Sequence, residues 1–170
     1  MLVVSKVEND VYSFENFKEE DLTWKNFSAE KRGKFDPAYP NFDIYIPEDL
    51  ANELREKGVN VKLTEPRDAG DVAKYRVNVK INMNYYREPE VYIRKEHGEK
   101  EYLNADTLYI LDRKEITYGE LLVKLNRNPQ SDVATLYANV LGVKVMENPF
   151  DAKWAEEEYP GEDDNELPFR

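Results

Sequence analysis

Tyrosines close to basic side chains recur along this chain, and they are the residues best suited to do chemistry. The pairs, among twelve tyrosines in all, are Tyr75 with Arg76, Tyr85 and Tyr86 with Arg87, Tyr92 with Arg94, and Tyr118 with Lys124 on one strand parity. Aromatic rings stack on unpaired bases while cations follow the phosphates, so this combination is typical of surfaces that hold single-stranded nucleic acid. The alternative is that most of these tyrosines are half-buried sheet residues whose hydroxyl groups reach water.

Other chemistries have little support in the sequence. The chain has no cysteine, which excludes disulfides, thiol catalysis and cysteine-ligated zinc. The one histidine, His97, stands beside Gly98 among charged residues, which indicates an exposed turn and not a general base or a metal ligand. The seven glycines are scattered and form no phosphate-binding motif. We expect no catalytic residue, no cofactor and no metal site.

Apolar residues at every second position predict a mainly β domain. In residues 75–82, Tyr75, Val77, Val79 and Ile81 form an apolar face, and the opposite face is basic and amide-rich. Further strands are predicted at 42–46, 59–63, 90–95, 119–127 and 134–147. One main helix is expected in 47–58, between Pro47 and Gly58, and a short one in 104–114. These elements favour a five- or six-stranded barrel, or a sandwich, with one main helix.

Charge divides the chain into two parts. The net charge is −11, and residues 151–170 hold eight acidic and two basic side chains, which leaves −5 for residues 1–150. We predict one domain over 1–150 and a disordered acidic tail over 151–170. No apolar run reaches the roughly 20 residues that span a bilayer, and the start of the chain lacks a signal-peptide pattern, so we expect a cytoplasmic protein without a membrane partner.

A basic segment, "NFSAEKRGKFDPAYPNF", precedes the first predicted strand. It contains Lys31, Arg32 and Lys34 just before Phe35. A loop of this composition can lie along a strand of DNA. It can equally be a long connection with solvated charges, which is the commoner case.

Several ordered blocks of the chain resemble the single-stranded DNA-binding proteins of tailed bacteriophages. These blocks are "GKFDP", "FDIYIPEDLANELREKGVNVK", "PEVYIR" and "LNADTLYILDRKEI", with a basic alternating strand before the third, and they extend over about residues 27–150. The resemblance implies an OB-fold and sequence-independent binding and protection of single-stranded DNA. It also implies a role in phage DNA replication or recombination in the cytoplasm of a bacterial host. None of the blocks is a catalytic signature.

The acidic end of the chain is similar to the tip of bacterial single-stranded DNA-binding proteins, which docks on replication and repair proteins. The residues that match are Asp163, Asp164, Leu167, Pro168 and Phe169. The phenylalanine is terminal in that family and its carboxylate takes part in recognition, whereas Arg170 follows it here. An anionic tail of this kind can also occupy a basic groove until DNA displaces it.

Strand parity and composition select the residues that we expect to contact DNA. The expected phosphate contacts are Lys34, Arg76, Lys80, Arg94 and Lys124, and the expected stacking rings are Tyr86, Tyr92, Tyr118 and Tyr137. Two other classes stay open. One is an acidic protein-interaction module or DNA-mimicking inhibitor, and the other is a nucleotide- or nucleic-acid-processing enzyme with a carboxylate metal site. The sequence also leaves open whether the chain forms a homo-oligomer.

Overall fold

The fold is known from a computed structural model, which describes residues 2–30, 39–65, 70, 72–85 and 87–146. Three groups of predicted DNA- or partner-contacting residues lie outside these ranges. They are Lys34, Tyr86 and the acidic tail with its five docking residues. The boundary predicted at residue 150 lies outside them as well.

The described part is mainly β with one main helix, as predicted. Its strands are β1 (Val3–Glu8), β2 (Val11–Phe17), β3 (Leu22–Asn26), β4 (Asn41–Ile46), β5 (Val61–Thr64), β6 (Lys74–Lys80), β7 (Glu90–Arg94), β8 (Lys100–Tyr102), β9 (Ile116–Arg127) and β10 (Ala134–Val145). The helices are α1 (Glu48–Glu56) and the short α2 (Ile110–Arg113), and a 3-10 turn covers Glu19–Asp21. All six predicted strands and both predicted helices are present. Strands β1, β2, β3 and β8 were not predicted from the sequence.

The strands form one sheet in the order β1-β2-β9-β10-β6-β4-β3, with β5 beside β6, and β7 between β10 and β8. Strand β10 pairs with β9 along its length, and on its other side it pairs first with β6 and then with β7. In the described ranges this order does not return to its first strand. The sheet is therefore larger and more open than the expected five- or six-stranded barrel, and it is consistent with an OB-like fold.

The core lies on the inner face of the sheet and confirms the alternation predicted for β6. Val77 and Val79 are fully buried, whereas Arg76, Asn78 and Lys80 point to the opposite face. Helix α1 covers part of the core with Leu50, Ala51 and Leu54. Because successive residues of a strand point to opposite faces, the same segment supplies both the core and a polar outer surface.

A polar network joins β2 to α1. The hydroxyl of the buried Tyr12 donates to Glu53 Oε2 at 2.8 Å and accepts a hydrogen bond from Lys57 Nζ at 3.0 Å. Lys57 also donates to Asp10 Oδ1 at 3.0 Å. Burial raises the pKa of Tyr12, and the hydrogen bond from Tyr12 is the main cause of the lowered pKa of Glu53. These contacts hold the β1–β2 hairpin against the helix.

Candidate nucleic-acid interface

A cleft of about 660 Å³ opens over the polar outer face of β4 and β6. The side chains that give it chemical character are Trp24 from β3, Asn41 from β4, Lys62 from β5, and Arg76, Asn78 and Lys80 from β6. Among the described residues that line this cleft, three cations face a single carboxylate, that of Asp43. The lining is therefore positive in a chain whose net charge is −11.

The buried carboxylate of Asp43 organises the floor of the cleft. Its side chain is 2% exposed and accepts hydrogen bonds from Arg76 Nε and Asn78 Nδ2, both at 2.9 Å. Arg76 also donates from Nη1 to Thr64 Oγ1 at 2.6 Å, and Lys62 Nζ lies 3.7 Å from the Asp43 carboxylate. A charged pair that is also hydrogen-bonded on several sides has a fixed geometry. Arg76 is thus held in the wall of the cleft and does not extend freely into water.

Lys80 has an environment that favours an incoming anion. Burial lowers the pKa of Lys80, and the charge of nearby Lys62 lowers it further. The carboxylate of Asp43 raises it and offsets part of this shift. Its Nζ donates to Asn78 Oδ1 at 3.1 Å. A phosphate beside these two ammonium groups would favour their charged forms, since an opposite charge within a few ångströms offsets both burial and like-charge repulsion.

A second cleft of about 350 Å³ is lined by Tyr39, Tyr85, Lys124 and Tyr137, among others. The rings of Tyr39 and Tyr137 meet edge to face, with centroids 6.0 Å apart. The two clefts adjoin because Tyr137 of the second is the register partner of Lys80 of the first. We call them together the polar groove. Three strand spacings separate β3 from β10 along it, about 14 Å.

The predicted DNA contacts divide into two sets. Arg76, Lys80, Lys124 and Tyr137 all line the polar groove. Tyr92, Arg94 and Tyr118 lie toward the far end of β10, where Tyr92 is the register partner of Gly142. Gly142 follows Tyr137 by five residues, which is about 17 Å along a strand. The sequence placed both sets in one groove, and the structure separates them.

Tyr92 points away from the core residues Val91 and Ile93, as strand parity predicts, yet it is 5% exposed. Its ring packs so closely on Gly142 that a Cβ there would overlap it. Lys100 Nζ lies 4.6 Å and Arg94 Cζ 5.6 Å from the centre of the ring. With these neighbours around it, Tyr92 offers no open ring face to a base. Parity gave its direction correctly but not its burial.

Tyr118 is half-buried on the same outer face, with Lys144 Nζ 5.7 Å from its ring centre. Burial raises the pKa of Tyr118, and the carboxylates of Glu120 and Glu15 raise it further. The presence of these two carboxylates makes this part of the sheet less suited to a phosphate chain than the polar groove.

Trp24, Tyr39 and Lys62 line the polar groove but were not predicted from the sequence, whereas Tyr85 was one of the tyrosines noted beside a cation but was not selected as a DNA contact. Trp24 is 61% exposed, and it lies on β3, a strand that the alternation pattern did not reveal. One signal for it was present, since an isolated tryptophan stands between the polar residues Thr23 and Lys25. Lys62 could also have been selected from the sequence, because it belongs to the predicted strand 59–63.

The groove can stack flat rings and pair with anions. Across residues 2–30, 39–65, 70, 72–85 and 87–146, no three side chains of the His, Cys, Asp and Glu types come together as a metal site would need. Neither helix of these ranges has the length and hydropathy required to cross a bilayer.

Comparison with known proteins assigns the chain to a protein family. The model of the phage ssDNA-binding domain family matches residues 7–146. Solved structures similar to this chain include the single-stranded DNA-binding protein from bacteriophage Enc34 in complex with ssDNA, with 10% identity, 88% of this chain and 98% of that chain covered, and a TM-score of 0.47. Its C-terminal truncation gives 10% identity, the same coverage and a TM-score of 0.42. No curated protein matches. The family model covers most of the sequence and confirms the resemblance seen in its ordered blocks: this chain belongs to the phage ssDNA-binding domain family.

Proposed function

We propose that this protein binds and protects single-stranded DNA in its polar groove, without catalysis, during phage DNA replication or recombination in the host cytoplasm. One observation carries the proposal, which is the convergence of Lys62, Arg76 and Lys80 with exposed aromatic rings in a single groove of a chain of this family. Cations neutralise the phosphates while the rings stack on bases.

The aromatic lining favours single strands over duplex DNA. Trp24 is 61% and Tyr85 is 50% exposed, and both line the groove. A ring can stack on a base only if the face of that base is open, and base pairing in a duplex leaves those faces stacked on one another. We therefore expect the groove to discriminate by strandedness.

The amides of the groove floor support binding without sequence preference. Asn78 Nδ2 donates to Asp43 Oδ1 at 2.9 Å and to Asn41 Oδ1 at 3.0 Å, and Asn41 Nδ2 donates to the carbonyl of Tyr39 at 2.9 Å. Sequence is read by hydrogen bonds to base edges. Because these amide groups already donate within the protein, they are less available to read base edges, which favours stacking and charge as the main contacts to DNA.

The acidic tail, residues 151–170, completes the proposal. Its net charge of −6 accounts for more than half of the −11 of the chain, so the domain repels DNA less strongly than the total charge suggests. The tail would compete with DNA for the polar groove, and DNA would release it to dock on a replication or recombination protein through Leu167, Pro168 and Phe169. Support for this role comes from the composition of the tail and from its similarity to the bacterial tip.

The experiment is a salt titration of binding to labelled oligo-dT and to a duplex of equal length. We expect tighter binding to oligo-dT than to the duplex. The logarithm of the association constant should fall linearly with the logarithm of the salt concentration. Oligo-dC of the same length should bind within a small factor of oligo-dT. If oligo-dT does not bind at low salt, the acidic interaction module becomes the better account, and equal binding to the duplex would refute the stacking model.

A further inference from the structure

Trp24 is presented by a β-bulge. In the pairing of β3 with β4, Thr23 lies opposite Asp43 and Asn26 opposite Asn41, so β3 contains one residue more than its partner over this interval. The backbone of Trp24 has φ of +52°, in the left-handed region that large side chains seldom adopt. Bulges of this kind redirect a side chain relative to the regular strand.

The bulge sends two neighbouring side chains to different environments. Trp24 is 61% exposed and lines the cleft that holds Lys62 and Lys80. The side chain of Lys25 is 13% exposed, and its Nζ donates to the carbonyls of Leu111 at 2.8 Å and Lys114 at 3.1 Å. It also pairs with Glu19 Oε2 at 2.8 Å. Lys25 thus fastens the bulge to the end of α2.

The position and backbone conformation of Trp24 are unfavourable for the stability of the folded state. A large aromatic side chain left mostly in water gains little from burial, and its positive φ is strained. Strain of this kind persists where the surrounding structure enforces it, and it concentrates at ligand-binding positions. An exposed, strained tryptophan on the rim of a cationic cleft is best explained by a flat partner.

We propose that Trp24 is the principal base-stacking residue of the polar groove, and that Lys25 is a positioning residue that maintains the bulge. This inference rests on the proposed function and names the residue that grips the base. Lys25 acts through its contacts with Leu111, Lys114 and Glu19, and does not itself reach DNA.

Fluorescence tests the stacking role. The chain has two tryptophans, so Trp154→Phe leaves Trp24 as the only one, and excitation at the long-wavelength edge of the absorption band selects it over the twelve tyrosines. Oligo-dT should quench this emission in step with the anisotropy of a labelled oligonucleotide. Trp24→Ala should weaken binding by about fivefold to a hundredfold, and Trp24→Phe by much less. Trp24→Gly, which relieves the left-handed strain, should weaken binding to a similar degree without lowering the melting temperature.

The positioning role is tested by Lys25→Met and by the milder Glu19→Gln. Both should shift the emission of Trp24 and weaken binding, with little change in the dependence of log K on log salt. Lys62→Met is the matched control. It should flatten that dependence by about 0.7 because it removes a phosphate contact. If Lys25→Met does not fold, Glu19→Gln carries the test.

The outcomes separate this inference from the proposed function. Binding of oligo-dT without quenching of Trp24, or with unchanged affinity in Trp24→Ala, overturns the stacking role and leaves the proposed function standing. Normal affinity and emission in Glu19→Gln and in folded Lys25→Met overturn the positioning role. An absence of oligo-dT binding to the wild-type chain at low salt overturns both the inference and the function.

Discussion

Replacing two lysines of the polar groove together, Lys62→Met and Lys80→Met, should weaken DNA binding without unfolding the protein. Methionine keeps most of the length of the side chain and removes only the charge. Burial already lowers the pKa of Lys80, so the loss of its charge should leave stability unchanged or slightly raised. Arg76 stays in place because its loss would leave the buried carboxylate of Asp43 without its closest cation, which destabilises a fold by several kcal/mol.

The magnitude follows from the count of phosphate contacts. On single strands each contact contributes about 0.7 to the slope of log K against log salt, so two contacts contribute about 1.4. Over a roughly fourfold rise in salt, from about 0.05 to about 0.2 M, that slope corresponds to an affinity loss of about sevenfold. The variant should therefore bind more weakly at low salt. Across this salt range, the factor by which its affinity falls should be about seven times smaller than the factor for the wild type.

The assay is fluorescence anisotropy with labelled oligo-dT at several salt concentrations, with thermal melts alongside. The matched control is Arg94→Met with Lys144→Met, which removes the same charge from the outer-face cluster around Tyr92 and Tyr118. This control should keep the wild-type slope. If instead the control flattens the slope and the groove variant does not, DNA lies over the outer-face cluster and the reasoning from the clefts is refuted.

Three further changes test the pH dependence, the stability and the tail. Because its pKa is lowered, Lys80 should lose its charge and its share of DNA affinity as pH rises, before an ordinary lysine does, and Lys80→Arg should abolish that weakening in titrations between about pH 8 and 10. Tyr12→Phe should cost about 1–2 kcal/mol in denaturant unfolding and leave DNA affinity unchanged. The lowered pKa of Glu53 stabilises the wild type at pH values above the pKa of Glu53 in the unfolded chain, and this stabilisation is lost as pH falls through its pKa in the folded protein. The difference in unfolding free energy between the wild type and Tyr12→Phe should therefore narrow in acid, and a constant difference would contradict the assignment. Removal of residues 156–170 changes the net charge from −11 to −5 and should tighten DNA binding at low salt, with a gain that shrinks above roughly 0.15 M; an affinity unaltered at every salt concentration would contradict competition by the tail.

Local patterns in the sequence were enough to predict much of the fold. The alternation in 75–82 predicted both the buried face of β6 and its polar face, because direction along a strand depends only on position. Pro47 and Gly58 flank α1 as their backbone preferences predict. Four residues that line the polar groove were selected on the same local grounds, namely Arg76, Lys80, Lys124 and Tyr137.

The missed strands show where local patterns stop. Strand β2 has a bulge between Glu15 and Phe17, and β3 has one between Thr23 and Asn26. A bulge inserts a residue and interrupts the period of two on which strand detection depends. Trp24 was missed for this reason, since its outward direction depends on pairing with β4 and on the anchoring of Lys25 to residues far along the chain.

By itself, the sequence determined the class of fold, the family, the concentration of negative charge in residues 151–170 and the direction of most strand side chains. Tertiary structure alone decided which of those side chains are available to DNA. Arg76 is tied to Asp43, 33 residues away, and Tyr92 is covered by its neighbours, although both point outward as predicted. The physical reason is that direction is a property of one strand, whereas exposure, ion pairing and bulge geometry depend on which strands become neighbours.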